Sequence, residues 1–315
     1  MTRSIFIAGA LALAAVLPAI PAQATLLTRT FVSSAGVDTN PCTITAPCAT
    51  FAVAYAATAA NGIIAALDPG RYGPLNITGP VTIDGHGWAA ITGPAPGVAI
   101  TINAVSGNVT LTGLEIDGAG AATTGILFNS GDRLNIRDSA IRNFTSDGIK
   151  FAPTGASDLF VSNTLTADNG GDGVFVSWGG TGNVSAVFNR VEAVDNQGTA
   201  NFNILGSPSG TLNAVIIDSV ASGDRTQMAN GNGGAGIWLN TGGPNTGTTL
   251  ELLRSVATNN IYGFFVEAGT IYVANSMITG NSFGWESTGG DQSYGDNYID
   301  GNGGLQGAPT KIPTK

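Results

Sequence analysis

Apolar and polar positions along this chain alternate in short bursts that return at a nearly constant interval. The clearest burst, Gly148-Ile149-Lys150-Phe151, sits just after Asp147 and reads apolar, polar, apolar behind a glycine. It comes back as Gly125-Ile126-Leu127-Phe128, Gly173-Val174-Phe175-Val176, Gly236-Ile237-Trp238-Leu239, Gly263-Phe264-Phe265-Val266 and, degraded, Gly284-Trp285-Glu286-Ser287. Alternation with period two predicts strands whose first and third residues after the glycine face a core and whose middle residue faces out. A second phrase, an Asn/Asp followed by Ser/Thr, recurs at Asp138-Ser139, Asn163-Thr164, Asp218-Ser219 and Asn275-Ser276. Weaker copies are Asn189-Arg190, Arg254-Ser255 and Asp296-Asn297. Asn and Asp tolerate the left-handed backbone of a sharp strand-to-strand bend, so this phrase predicts corners. Steps between the glycines are 23, 25, 63, 27 and 21 residues, and a degraded copy, Asn201-Phe202-Asn203-Ile204, divides the long step into 28 and 35. A period in the twenties built from strands too short to stand alone predicts a solenoid, each coil burying its apolar row against a neighbour about 4.8 Å away.

This pattern resembles the right-handed parallel β-helix of the pectin-lyase-like superfamily over roughly residues 76–305. The resemblance implies an all-β solenoid and is specific for architecture, not for chemistry. Before the regular coils, strands are expected at Leu75–Ile77, Val81–Ile83, Ala89–Ile91, Val98–Ile102 and Val109–Ile116.

The ends of the chain differ from the coils. Residues 1–24 read as a secretory signal, with Arg3, an apolar run from Ile5 to Ile20, and Ala22-Gln23-Ala24 as the cleavage site. The expectation is a secreted, periplasmic or cell-surface protein without a membrane span, because no later run is long enough to cross a bilayer. Residues 25–75 form an N-terminal cap. Its loop holds the only cysteines, Cys42 and Cys48, which in an exported chain predict a local disulfide. An alanine-rich helix from Phe51 to Ala60, with Phe51, Ala54, Tyr55 and Thr58 on one face, would cover the open end of the solenoid and stop at Asn61-Gly62. The run from Cys48 to Tyr72 resembles the capping segment of secreted β-helix proteins. An insertion at 223–234, with Met228, reads as an exposed loop, and 306–315 as a tail.

Charged residues make up only 10% of the chain, while apolar residues reach 43% and glycines number 46. Many tight turns between short buried strands account for all three. The net charge of −9 argues against nucleic acid as a partner, and Lys150 is the only lysine outside the C-terminal tail. The chain is expected to act as a monomer.

The outward row across the coils reads Leu127, Lys150, Phe175, Asn203, Trp238, Phe265, Glu286. Aromatic faces meet the axial C–H bonds of sugar rings, so Phe175, Trp238, Phe265 and Asn203 are candidate carbohydrate-binding residues, unless loops fold over them. Asp147 and Asp172 occupy the same place in adjacent coils, where stacked carboxylates need a cation, a shared proton or divergent side chains. With Lys150 as base they are candidate catalytic residues of the kind found in β-helix polysaccharide lyases. Asn129, Asp147 and Asp172 would then be part of a calcium set. The plainer reading is turn chemistry, with Lys150 neutralising the pair. Polygalacturonase-type glycosidases fit less well. Thr145-Ser146-Asp147-Gly148 and Gly171-Asp172-Gly173 faintly match their carboxylate motifs, but Gly85-His86-Gly87 precedes them, His86 is the only histidine and Arg-Ile-Lys is absent. A polysaccharide-binding and processing protein, with lyase chemistry ahead of hydrolysis, therefore stands beside a non-catalytic adhesion or structural β-helix.

Overall fold

The computed structural model describes residues 26–180, 182–207, 209–224, 233–243, 247–304 and 309–313. The expected signal segment and residues 225–232 of the expected insertion, including Met228, lie outside the described residues. The chain winds as a right-handed parallel β-helix. One side is a nine-stranded parallel sheet running from Leu75–Ile77 to Phe283–Ser287. An eighteen-stranded sheet makes the other two sides, bending at the corner phrase. In Ser157–Ala167, for example, residues 158–162 pair on one side of the bend and 165–167 on the other.

The corners behave as the sequence phrase requires. Asp138, Asn163, Asp218 and Asn275 have φ between 47° and 52°, in the left-handed region. The hydroxyl that follows joins the coils: the N–H groups of Leu114, Val191, Ser219 and Ser255 donate to Oγ of Ser139, Ser219, Ser255 and Ser276, each one coil further on. In the weaker copies it is Arg190 and Arg254 that take the left-handed backbone.

The recurring glycine has a different cause. Inside the helix runs a ladder of buried amides in which Asn169 Nδ2 donates to Asn196 Oδ1 (2.8 Å) and Asn196 to Asn201 (2.8 Å). It continues through Asn260 (3.2 Å), Asn281 (3.2 Å) and Asn302 (3.0 Å). A Cβ at Gly148, Gly173, Gly236 or Gly284 would stand 2.6–2.8 Å from the amide nitrogen of such an asparagine. The glycine is there to admit the ladder, since an unpaired buried amide is costly. The copy that carries Asn201 in place of glycine keeps the ladder by contributing its own side chain.

The core is the set of inward rows. Ile149 and Phe151 are fully buried, and Phe151 stacks on Phe128 at 4.6 Å. Each such side chain contributes about 1.5–3 kcal/mol by burial. At the N-terminal end, helix α1 (Phe51–Ala57) puts Phe51 and Ala54 into this core, with Thr50 capping it by accepting from Val53 N–H. The helix ends at Ala57 rather than Ala60. Thr58 turns its hydroxyl back to Ala54 O (2.6 Å) and begins the strand Thr58–Ala66, which pairs with Leu27–Val32. Pairing with a neighbouring strand overrides the local alanine propensity. Cys42 and Cys48 form the expected disulfide, with Cα atoms 4.7 Å apart. At the far end, Thr310–Lys311 adds a short rung beside Gly290–Ser293. Among the described residues no helix is long and apolar enough to cross a membrane.

Candidate functional site

The nine-stranded face carries the predicted outward row in register: Leu127 pairs with Lys150, Lys150 with Phe175, Phe175 with Asn203, Asn203 with Trp238, Trp238 with Phe265 and Phe265 with Glu286. Exposure divides this row. Leu127, Lys150 and Phe175 are half-exposed, whereas Asn203, Trp238 and Phe265 are 8%, 6% and 8% exposed. Trp238 packs on Phe265 (4.6 Å), Phe265 on Tyr262 (5.2 Å), and Ala200 and Ala235 complete a small apolar cluster outside the sheet. Two of the three rings of the expected sugar-stacking face, Trp238 and Phe265, are therefore packing residues in this structure.

Asp147 and Asp172 sit at the turn leading into this sheet, and both are buried. They form a ladder. The Asp172 N–H donates to Asp147 Oδ1 (3.1 Å), and the Ala200 N–H donates to Asp172 Oδ1 (2.9 Å). Each carboxylate thus closes the turn of the next coil, and the facing glycines leave room for it: a Cβ at Gly171 would lie 2.5 Å from Asp147 Oδ1, and one at Gly198 2.4 Å from Asp172 Oδ1. The second oxygens point to side chains. Asp172 Oδ2 accepts from Asn203 Nδ2 (2.8 Å), and Asp147 Oδ2 lies 4.0 Å from Lys150 Nζ. Burial raises the Asp147 carboxyl above the usual range, against hydrogen bonding from the Asp172 N–H and the charge of Lys150. Burial likewise pushes Asp172 up to about 6; the Ala200 N–H opposes it and the neighbouring Asp147 charge adds to it.

The residues proposed for calcium do not fit the ion. Asn129 follows Phe128 at the far end of its strand and donates to Asn103 Oδ1 (2.9 Å). In register it lies five residues from Asp147, roughly 16 Å along the sheet. The carboxylate oxygens of Asp147 and Asp172 already serve backbone N–H groups, Asn203 and Lys150, whereas calcium takes six or more oxygens. No group of three His, Cys, Asp or Glu with metal-binding spacing occurs among the described residues. His86 lies elsewhere, in a left-handed corner of the eighteen-stranded sheet, stacked on Trp88 at 5.4 Å and 3.4 Å from Asp84.

Of the row, Leu127, Lys150 and Phe175 stay partly open, as does Glu286 at its far end, and Lys150 is the one beside the buried carboxylates. Its ammonium stands 5.4 Å over the Phe175 ring, with Leu127 on the other side and Asp147 beneath. Sequence reasoning placed Lys150 and Phe175 together. It missed the amide ladder that fixes the turns around them, although Asn169, Asn260 and Asn281 stand three or four residues before glycine phrases and Asn196 five before the degraded copy at Asn201.

No protein-family model matches this chain, and no curated protein matches it. Solved structures do resemble it. The crystal structure of pectate lyase Pel9A matches with a TM-score of 0.62 at 18% identity, over 87% of this chain and 73% of that one. ORF18 of Geobacillus virus E2 matches with a TM-score of 0.52 at 13% identity, over 75% of this chain and about half, 52%, of that one. At such identities the likeness is one of fold alone, a parallel β-helix.

Proposed function

We propose that this protein is an exported polysaccharide-binding β-helix that takes a glycan chain on the Leu127–Lys150–Phe175 row. The observation that carries the reading is the in-register, half-exposed triplet with Lys150 Nζ 5.4 Å over the Phe175 ring and 4.0 Å from Asp147 Oδ2. A ring presents its face to sugar C–H bonds, and an ammonium beside a carboxylate offers donors and an acceptor to hydroxyls. Three coils span about 10 Å, enough for a short stretch of chain. The fold likeness to a pectate lyase and the disulfide-pinned cap are consistent with export and with glycans as partners.

Binding without turnover is the form of this reading that the carboxylates favour. Asp147 and Asp172 are engaged in closing turns, which leaves Lys150 without the cation-bridged substrate that the lyase reading requires. The test is a panel of polysaccharides, measured both for binding and for unsaturated products or new reducing ends. The expected outcome is binding, lost in Phe175→Ala and weakened in Lys150→Ala, with no product. Product formation that disappears in Lys150→Ala would establish a lyase instead. No binding to any glycan would leave the adhesion or spacer role.

A further inference from the structure

The nine-stranded face is not the only shaped surface. The chain has nine arginines, of which Arg3 and Arg225 lie outside the described residues. Four of the other seven, Arg133, Arg137, Arg142 and Arg190, gather around one corner of the eighteen-stranded sheet, across the cross-section from the nine-stranded face. On one side of that corner lies a groove of about 500 Å³. Arg133, Arg137, Arg190 and Phe160 line it, with Asp138 as the only carboxylate among its walls. With Arg133 paired to Asp158 just outside the walls, two guanidinium groups face one carboxylate in the groove, an arginine-rich spot on a chain of net charge −9.

Two of these guanidiniums are held in place and one is uncommitted. Arg133 donates to Asp158 Oδ2 (2.7 Å) and lies 5.1 Å over the Phe160 ring, covering one face of it. Arg190 donates through Nε to Asn163 Oδ1 (2.5 Å), which leaves its two terminal nitrogens pointing away from the bond. Its hydrogen-bond partner is a neutral amide, although its charge also acts on Asp218, the next residue along the corner row. Two coils along the same corner row, Arg254 is instead neutralised by Asp218 through two bonds of 2.7 and 3.0 Å. Arg137 is exposed and enters no ion pair among the described residues. Register places Arg137 and Asn189 on either side of Ser162, and Arg190 follows Asn189 at the corner beside Asn163, so the two arginines stand diagonally across the Ser162–Asn163 corner. They stand about 10 Å apart at the backbone, a span that long side chains close onto one small anion. Phe160 lies two residues from Ser162 on the same outward row, about 7 Å away, which is the scale of a sugar ring and its substituent.

We propose that this groove is a second saccharide site, selective for a sugar carrying a carboxylate or a sulfate ester. The anionic group is held by Arg137 and Arg190 across the Ser162–Asn163 corner, and the sugar ring lies on the side of Phe160 away from Arg133. Charge-assisted, bidentate hydrogen bonds from guanidinium groups select planar or tetrahedral oxyanions over hydroxyls. Asn135 and Asn189, on the flanking coils, offer amides to the ring hydroxyls. This site does not depend on the Lys150 row being a glycan site.

Titration calorimetry on the Lys150→Ala, Phe175→Ala double variant, which lacks the first site, tests it against the parent with three probes of equal length: trigalacturonate, a sulfated galactotriose and uncharged galactotriose. The expected result is binding of one or both anionic probes and none of the neutral one, and the tighter anionic probe identifies the carboxylate or the sulfate as the ligand group. Arg137→Gln should weaken that binding roughly tenfold or more, as should Phe160→Ala, while Lys150→Ala and Phe175→Ala leave it unchanged. Arg137 is exposed, so its variant should unfold at the parent temperature. Anionic binding that is unchanged in Arg137→Gln, or lost only in Lys150→Ala and Phe175→Ala, would overturn the corner site and leave the first one standing. Equal binding of the neutral probe, or no anionic binding at all, would overturn it as well.

Discussion

The two halves of one outward row behave differently. Leu127, Lys150 and Phe175 are half-exposed, while Asn203, Trp238 and Phe265, three coils further along the same sheet, are buried before the row ends on the exposed Glu286. All six stand in one register with their side chains directed away from the core. The difference lies beyond the sheet. In the second half, Ala200, Ala235 and Tyr262 pair with one another and build an apolar layer against which Trp238 and Phe265 pack. In the first half the equivalent space holds Asp147 and its turn, and no such layer forms. Alternation in a strand states which way a side chain leaves the sheet. Whether it then meets water depends on what the turns place above it.

The largest effect should separate inside from outside in the exposed half. Phe151 is fully buried and stacked on Phe128, so Phe151→Asp puts an unpaired carboxylate between coils and should cost at least several kcal/mol. Lys150→Ala, one residue away, should leave thermal unfolding nearly unchanged. Equal melting temperatures for the two variants would mean the inward and outward assignment is wrong.

The next effect separates the two halves themselves. Trp238→Ala should behave as a core truncation, costing about 3–5 kcal/mol. Phe175→Ala, on a half-exposed ring, should cost much less in stability and remove glycan binding instead. If Trp238→Ala abolished binding with an unchanged denaturant midpoint, the buried half would be the functional one.

The fold was legible because its two sequence phrases each follow from a physical constraint that repeats. Asp138, Asn163, Asp218 and Asn275 announce left-handed corners by residue type, and the glycine phrases announce strands by alternation. The reason for the glycines was not legible. It lies in contacts between coils, where Gly173 must clear the Asn196 amide, and pairs so far apart in sequence carry no local signal. Helix α1 was shortened for a similar reason, since Thr58 is taken by strand pairing. The candidate site was legible as far as Asp147, Asp172, Lys150 and Phe175 sharing one region. The engagement of the carboxylates by backbone N–H groups was not, because hydrogen bonds to main chain leave no residue-specific trace. The corner arginines are not legible as a patch, because coiling is what brings Arg190 beside Arg133 and Arg137.

A pH experiment sharpens the comparison at its dividing line, where Asp172 meets Asn203 from the buried half. The Asp172 carboxyl titrates at about 6 in the folded chain, above the ordinary value of about 3.9. A raised folded value means the protonated form suits the fold. The stabilising contribution is therefore full below about pH 4 and is lost as pH rises through about 6, amounting to at most about 3 kcal/mol. Asp172→Asn should flatten the fall in melting temperature over that window, with Asn203 able to rotate its amide and keep the bond. Asp68 does not confuse the result. Burial raises its carboxyl, but hydrogen bonds from Ser33, Ser34 and Tyr72 more than reverse this and hold it at about 2, so its contribution is lost only as pH falls from about 4 through 2. An unchanged pH profile in Asp172→Asn would remove the carboxylate ladder as an energetic feature.

The smallest effect is expected at the cap. The disulfide between Cys42 and Cys48 closes a loop of separation 6, and in the chain-entropy account so short a loop is worth about 2 kcal/mol or less. The same loop is also tied down without sulfur: the Phe31 N–H donates to Cys42 O, the Cys48 N–H to Phe31 O and the Ser33 N–H to Cys48 O, all at 2.9–3.0 Å. Asp38 adds bonds to the Ala49 and Thr50 N–H groups beside the start of helix α1. Those bonds hold the loop on the first strand of the solenoid whether or not the sulfurs are joined. The Cys42→Ser, Cys48→Ser double variant should therefore fold, bind glycan as the parent does and melt only a few degrees lower. Thiol labelling of the unfolded parent should find no free thiol. Two labelled cysteines would remove the disulfide. A loss of more than about 10 °C in the double variant would show that the crosslink, and not the backbone lacing around it, holds the cap on the helix.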